Sequence, residues 1–364
     1  MLTDIVLDAM GSDKAPEPEV KGAILAARSY PVRVHLVGPE DRIRPILERY
    51  TGRRARGRFA GAGNGRAPLP IEVIHTDQWI AMDDKPALAI RQKPHSSMRV
   101  GLKLVREGKA AGFITAGNTG AAMASAKMVL GNLPAVDRPA LATVMPTSAG
   151  SPCVLLDAGA NVDCKPHNLE QFAIMGEMYA RSVLKIPRPR VGLLSIGEEE
   201  GKGNELTKET FPLMRALDLN FIGNVEGRDI FNGHADVFVC DGFVGNVALK
   251  TSEGLARLVR DLLRRSLTST VTARAGALLS RNAFHDFKKR LDYSEYGGAP
   301  LLGVRGVCIV GHGSSSDRAI MNAIRVAAEA VQSRMTTHLE EEFTKRAAMI
   351  AVTGDELSRN ALVE

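Results

Sequence analysis

One pattern recurs along the chain and constrains its fold more than any other feature. A short β-branched, apolar run ends in a glycine-rich turn carrying Asp, Asn, Ser or Glu, and a helical pattern follows. It appears as DIVLDAMGSD before EVKGAILAA, AGFITAGNTG before AAMASAKMVL, and CVLLDAGANVD before NLEQFAIMGEMYA. It returns as VGLLSIGEEEGKGN before ELTKETFPLMRAL, DVFVCDGFVGN before VALKTSEGLARLV, and VCIVGHGSSS before DRAIMNAIRVAAEAV. VRVHLVG and LPIEVIHT supply two further strands. Strands alternating with helices form βαβ units, because a parallel neighbour needs a crossover long enough to return the chain to the same end of the sheet. The expected fold is therefore α/β, a doubly wound, mostly parallel, Rossmann-like sheet. Ligands of such sheets bind beyond the carboxyl ends of the strands. Every polar turn named above falls there.

Composition narrows the class. Hydrophobic residues make up 45% and charged residues 24%, the balance of an ordinary soluble enzyme. No run reaches the length of a membrane span, and MLTDIVLDAM lacks the basic segment that opens a signal peptide. Cys153, Cys164, Cys240 and Cys308 are widely spaced without a CxxC, and read as reduced core thiols of a cytoplasmic protein. The net charge of +6 is concentrated in one place. Arg257, Arg260, Arg264, Arg265, Arg274, Arg281, Lys288, Lys289 and Arg290 are opposed only by Asp261 and Asp286. A local basic patch suits one acidic partner or an anionic surface, and argues against a protein that coats nucleic acid.

A single α/β domain is expected over residues 1–335, with two departures from the repeating pattern. Thr51 to Pro70 is rich in Arg, Gly and Ala and reads as a surface loop. Over 255–290, Leu255, Leu258, Val259, Leu262, Leu263 and Leu267 follow helical spacing with arginines between them. That segment reads as an amphipathic helical hairpin projecting from the sheet, packed on the core or laid on a membrane surface. Residues 336–364 read as a C-terminal tail.

The turn TAGNTGAA has the physics of an oxyanion cradle. Glycines permit a tight turn, and successive N–H groups at a helix start point at one spot with partial positive charge. It is neither a Walker A loop nor a full GxGxxG fingerprint. A tight turn capped by Asn118 explains the octapeptide taken alone. Ser96 and Ser97 open a second helix in KPHSSMRVGLKLV, and His312, Gly313 and Ser314 are placed at a third in GHGSSSDRAI. Several helix starts on one sheet edge exceed what capping needs. No GxSxG, HExxH, EF-hand or kinase motif is present. A site of Asn, Asp, Glu, Ser and Gly orients and polarises, so the substrate brings its own nucleophile, for which bound phosphate is a candidate.

The motifs DAMGSD, SSM, TAGNTGA, DAGANVD, IGEE with KGNE, GNVEGRDI, DGFVGN, YGGAPLLG and HGSS occur in that order. In this the chain resembles the acyl-carrier-protein:phosphate acyltransferases of bacterial phospholipid synthesis, from Ile5 to Ala330. ADVFVCDGFVGNVALK followed by GAPLLG is also similar to phosphotransacetylases, of the isocitrate/isopropylmalate dehydrogenase-like superfamily. The resemblance implies that long-chain acyl-acyl carrier protein and inorganic phosphate give acyl phosphate and free carrier protein, with neither cofactor nor metal. It implies a homodimer at the inner face of the cell membrane, in peripheral contact through 255–290. It also implies a functional link to a membrane glycerol-phosphate acyltransferase.

Within that scheme Ser96, Ser97, Gly117, Asn118 and Thr119 are assigned to phosphate, with His312 and Ser314 as further substrate contacts. Asn161, Asp163 and Asn246 position reacting groups. Asp241 is assigned acid–base work or the orientation of a donor, with a helix-capping role as the alternative. Glu198, Lys202 and Asn204 lie on a loop expected to close over the substrate. Ser12 stands where the family commonly has a second Gly, and His95 where other residues, often Asp, appear. The rival readings are a phosphotransacetylase acting on a small acyl-coenzyme A, a metal- and NAD-dependent dehydrogenase of the same fold, and a non-catalytic membrane scaffold, which would not need so many polar glycine loops on one sheet edge.

Overall fold

A computed structural model describes residues 2–52, 68–284, 287 and 297–360, with side chains as far as 348. Most of the Arg/Gly-rich segment, and Asp286, Lys288, Lys289 and Arg290 of the basic stretch, lie outside the described residues.

The chain forms two compact units, Met1–Ala140 with Arg181–Pro187 and Gly297–Glu364, and Leu141–Ala180 with Arg188–Tyr296. The first opens with β1 (Thr3–Asp8), α1 (Glu17–Ser29), β2 (Val32–Gly38), α2 (Glu40–Thr51) and β3 (Ile71–His75). It continues through α3 (Pro86–Gln92), α4 (Ser97–Arg106), β4 (Gly112–Thr115), α5 (Thr119–Val129) and β5 (Ala140–Leu141). The second unit carries β6 (Thr143–Met145), β7 (Cys153–Leu156), α6 (Pro166–Ser182), β8 (Val191–Leu194), α7 (Glu205–Arg215) and β9 (Phe221–Val225). A 3-10 turn at Gly227–Phe231, β10 (Val237–Val239), α8 (Gly242–Thr268) and α9 (Val271–Leu279) follow. The chain then returns to the first unit with β11 (Ala299–Leu302), β12 (Val307–Val310), α10 (Asp317–Gln332) and α11 (Met335–Asn360).

The α/β class and mostly parallel pairing are as expected, but the strands divide between two sheets. One has the order β3-β2-β1-β4-β12-β11-β5, the other β6-β7-β10-β8-β9. In the first, β1 pairs in parallel with β2 and β4, and β12 with β4, while β11 runs antiparallel to β12. Ile5, Val6 and Leu7 of β1 are fully buried, as expected of a central strand covered on both faces. In the second sheet β10 lies between β7 and β8, parallel to both. Phe238, Leu155, Val225 and Ile230 anchor its core.

Two elements differ from expectation. The amphipathic helix starts at Gly242, not near Leu255, and Gly242 and Gly245 are its only buried residues. Leu255, Leu258 and Leu262 are each more than half exposed, and none of α9 is buried. Thr270 separates the two helices and caps α9 by accepting the Ala273 N–H at 3.1 Å. The segment expected as a tail forms α11. Among the described residues no helix is long and apolar enough to cross a membrane.

Candidate active site

In the first unit a carboxylate at the end of a buried strand organises the phosphate candidates. Asp8 accepts the Met10 N–H at 3.1 Å and the Thr115 hydroxyl at 2.8 Å. Thr115 Oγ1 in turn accepts the Gly117 N–H at 3.0 Å. This chain of bonds sets the turn after β4. Burial pushes the Asp8 carboxyl above its ordinary range, opposed by the neighbouring hydroxyls and the Met10 N–H. The DAMGSD and TAGNTG turns lie so close that a Cβ on Gly11 would stand 2.8 Å from the Gly117 nitrogen. The third turn joins them, since Asp13 N–H donates to the Gly313 carbonyl at 2.8 Å and Gly311 N–H to the Thr115 carbonyl at 2.7 Å.

Ser96 is the N-cap residue of α4, yet its side chain makes no capping bond. Ser96 and Ser97 are fully buried; the Ser96 hydroxyl has no hydrogen-bond partner in the protein, and the Ser97 hydroxyl lies beside the Asp8 carboxyl without a hydrogen bond of full geometry. Their N–H groups are already engaged, with the carbonyls of Lys93 (3.1 Å) and Gln78 (2.8 Å) respectively. Buried hydroxyls left unpaired cost free energy, of order 1–3 kcal/mol each. A ligand that accepts from them recovers it.

Asn118 does cap α5, its Oδ1 accepting the Ala121 N–H at 3.0 Å. Its amide nitrogen donates to the carbonyls of Met82 and Asp84, both at 3.0 Å. The whole side chain is thereby committed to tying the 82–84 segment to α5. What the turn offers an anion is backbone, since the N–H groups of Thr119 and Gly120 open the helix and have no carbonyl four residues back within it. His312 and Ser314 are exposed and bonded to each other, the Ser314 hydroxyl lying 2.8 Å from His312 Nδ1. The helix begins at Asp317, where the pattern DRAIMNAIRVAAEAV has it, with Ser316 as its cap accepting from Ala319 N–H at 3.2 Å, so His312, Gly313 and Ser314 lie in the turn before it and not at the helix start.

In the second unit the organising group is Asp157, which sequence reasoning did not single out. Its Oδ1 accepts the N–H groups of Leu141 (3.0 Å), Gly159 (3.1 Å) and Ala160 (2.9 Å). Its Oδ2 accepts the backbone N–H (2.7 Å) and side-chain amide (2.8 Å) of Asn161. Burial raises the Asp157 carboxyl, and these donors pull it back. The start of α8 presses on this loop: a Cβ on Gly245 would stand 1.9 Å from the Asp157 carbonyl oxygen, and one on Gly242 2.6 Å from that of Asn161. DGFVGN therefore needs both glycines for the approach.

Asp241 caps α8, its Oδ1 accepting the Val244 N–H at 2.9 Å. Asn246 is exposed one turn along and packs beside Gly159. The structure thus brings Asn161, in the loop after β7, together with Asp241 and Asn246, at the cap and first turns of α8 after the neighbouring β10, with exposed Asp163 two residues past Asn161. Glu198, Lys202 and Asn204 follow β8. Glu198 pairs with Arg228 at 3.1 Å, and Asn204 caps α7 through the Thr207 N–H at 2.9 Å, while Lys202 is exposed. Burial pushes the thiols of Cys153 and Cys308 up to about 12 and that of Cys240 well above the ordinary value, so none of the three is a thiolate near neutral pH.

The signal that could have found Asp8 and Asp157 is in the motifs themselves. Each is a lone carboxylate closing an apolar run, IVLD and VLLD. The end of a buried strand is where such a group must be paid in hydrogen bonds.

Known proteins share this chain's sequence and fold. A family model described as fatty acid synthesis protein matches residues 3–338. A phosphate acyltransferase of Acidobacterium capsulatum is 70% identical over 343 residues, 94% of this chain and 98% of the relative. A phosphate acyltransferase of Koribacter versatilis is 62% identical over 343 residues, 93% of this chain and 92% of the relative. Among solved structures, a phosphotransacetylase from Streptococcus pyogenes matches with a TM-score of 0.61 at 15% identity, over 91% of this chain and 94% of that one. That likeness speaks to the fold alone.

Proposed function

Because the chain belongs to the phosphate acyltransferase family, we propose that it moves a long-chain acyl group from acyl-acyl carrier protein onto inorganic phosphate. The products are acyl phosphate and free carrier protein, the first acyl transfer toward phosphatidic acid. The observation that carries this reading is the buried, partnerless hydroxyl of Ser96, with the buried Ser97 hydroxyl next to it in the chain. They belong to the unit that holds the Gly117 turn and the open N–H groups of α5. Phosphate accepts from them, and no enzyme nucleophile takes part.

A phosphate oxygen attacks the thioester carbonyl carbon, the C–O bond forms, and the C–S bond breaks as the thiolate leaves. Fixed N–H and hydroxyl donors lower the cost of bringing the anion to its target. In the second unit, Asn161 and Asn246 are assigned to the thioester, and Asp163 to the same loop. Asp241 Oδ2, the oxygen not used in capping α8, is assigned to the proton that the thiolate acquires. Glu198, Lys202 and Asn204, on the loop after β8, are assigned to closing over the substrate.

We assign α8 and α9 to peripheral contact with the inner face of the membrane, in a homodimer that hands its product to a membrane glycerol-phosphate acyltransferase. Exposed Leu255, Leu258 and Leu262 alternate there with Arg257, Arg260 and Arg264, the pairing an anionic lipid surface takes. A cavity of about 550 Å³ lies between the two helices, lined by Leu263, Leu267, Leu278, Phe284 and arginines. The test is product formation from long-chain acyl-acyl carrier protein and phosphate, read as hydroxamate. Turnover of that donor above acyl-coenzyme A is expected; turnover of a small acyl-coenzyme A alone would replace this reading with a phosphotransacetylase.

A further inference from the structure

We infer that Glu19 is a proton-linked positioning residue of the first unit's anion site, taking up a proton as the anion binds. This rests on the reading of Ser96, Ser97 and the Gly117 turn as that site.

Glu19 sits on α1 and is fully buried. Its Oε1 accepts the Ser12 N–H at 3.0 Å, and its Oε2 has no partner. The Ser12 hydroxyl lies beside this carboxyl and pulls it down, yet neither Ser12 Oγ nor Glu19 Oε2 makes a hydrogen bond of full geometry. The Ser12 hydroxyl can serve either state, donating to a charged Glu19 or accepting the O–H of a neutral one. Ser12 follows Gly11, which lies against the Gly117 nitrogen. The state of Glu19 is therefore passed to the turn that faces the anion.

Charge argues the same way. Asp8 keeps its carboxylate near the cradle with Met10 N–H and Thr115 O–H donating to it. Glu19 holds the Ser12 N–H on Oε1, while its Oε2 has no hydrogen bond of full geometry. An incoming anion adds a second negative charge to a buried site, and the least supported carboxylate takes the proton. Burial, with Asp8 adding to it, already pushes Glu19 up to about 7 against the pull of Ser12. The other charged neighbours are Asp13 on the same turn, His312 on the turn bonded to it, and Asp317 and Arg318 at the start of α10, where the Asp317 carbonyl lies against Gly22 of α1. On α1 itself Glu17 is paired with Lys21 at 2.7 Å.

The probe is inorganic sulfate, which keeps its charge through neutral pH where phosphate changes its own. Calorimetry of the full chain in buffers of different ionisation enthalpy gives affinity and proton uptake together. Wild type should bind sulfate about tenfold more weakly per pH unit above about pH 7, with close to one proton taken up per site. Glu19→Gln should hold the low-pH affinity at every pH and take up none, and that retained affinity reports a folded site. Sulfate binding that is flat with pH in wild type overturns the inference, as does an uptake unchanged in Glu19→Gln, which would place the proton on Asp8 or His312. Wild type that binds neither sulfate nor phosphate at any pH overturns the anion-site reading itself, and the inference with it.

Discussion

Two carboxylates that end buried strands, Asp8 and Asp157, set the shape of the turns that carry the candidate chemistry. Each was visible in the sequence as a polar residue closing an apolar run. Their partners were not, because Thr115 lies 107 residues from Asp8 and contacts at such a distance leave no local pattern. Asn118 shows the reverse case. Its capping role was legible from position, whereas its hold on Met82 and Asp84 required the fold. Glu19 gives a prediction at this scale. Its folded-state value, about 7, exceeds the ordinary 4.5, so its burial is tolerated at low pH and stability is lost as pH rises from 4.5 through 7. The loss is on the order of 3 kcal/mol. Urea midpoints at about pH 5 and about pH 8 should therefore differ more in wild type than in Glu19→Gln.

At the scale of elements, helix α8 teaches most. Its helical pattern was readable from VALKTSEGLARLV onward, but its first turn, Gly242 to Asn246, was hidden in DGFVGN, which reads as a loop because glycine disfavours helix interiors. The glycines are there for contact: any side chain at Gly245 meets the Asp157 carbonyl. Gly245→Ala should shift α8 off the Asp157 loop and destabilise the second unit by about 3 kcal/mol or more, a clash between backbone groups that no rotamer relieves. A Gly254→Ala control, with open space around it, should leave the urea midpoint unchanged or raise it. An unchanged midpoint for Gly245→Ala would mean the approach is looser than described. The start of α10 was legible at Asp317 but its cap was not: GHGSSS offers several serines, and only the fold selects Ser316.

For the molecule as a whole, the repeating strand–turn–helix pattern correctly indicated the α/β class and the parallel pairing. It did not separate the two units, because both are written in the same pattern and the first is completed only by strands β11 and β12, far along the chain. The projecting helices give the prediction proper to this scale. Leu258→Glu with Leu262→Glu should reduce binding to vesicles of anionic phospholipid at least tenfold, measured by flotation, while soluble acyl transfer continues. Equal binding by the variant would remove α8 from the membrane contact.

The most direct test remains at the buried serines. Phosphate KM and kcat should be measured with long-chain acyl-acyl carrier protein for wild type, Ser96→Ala and Ser97→Ala, alongside their urea midpoints. Loss of a hydrogen bond to a charged ligand should raise the phosphate KM about tenfold or more in either variant, while removing the Ser96 hydroxyl, which has no partner in the free protein, leaves stability equal or higher. Unchanged phosphate KM in both variants, with the protein folded and active, would mean that phosphate binds elsewhere.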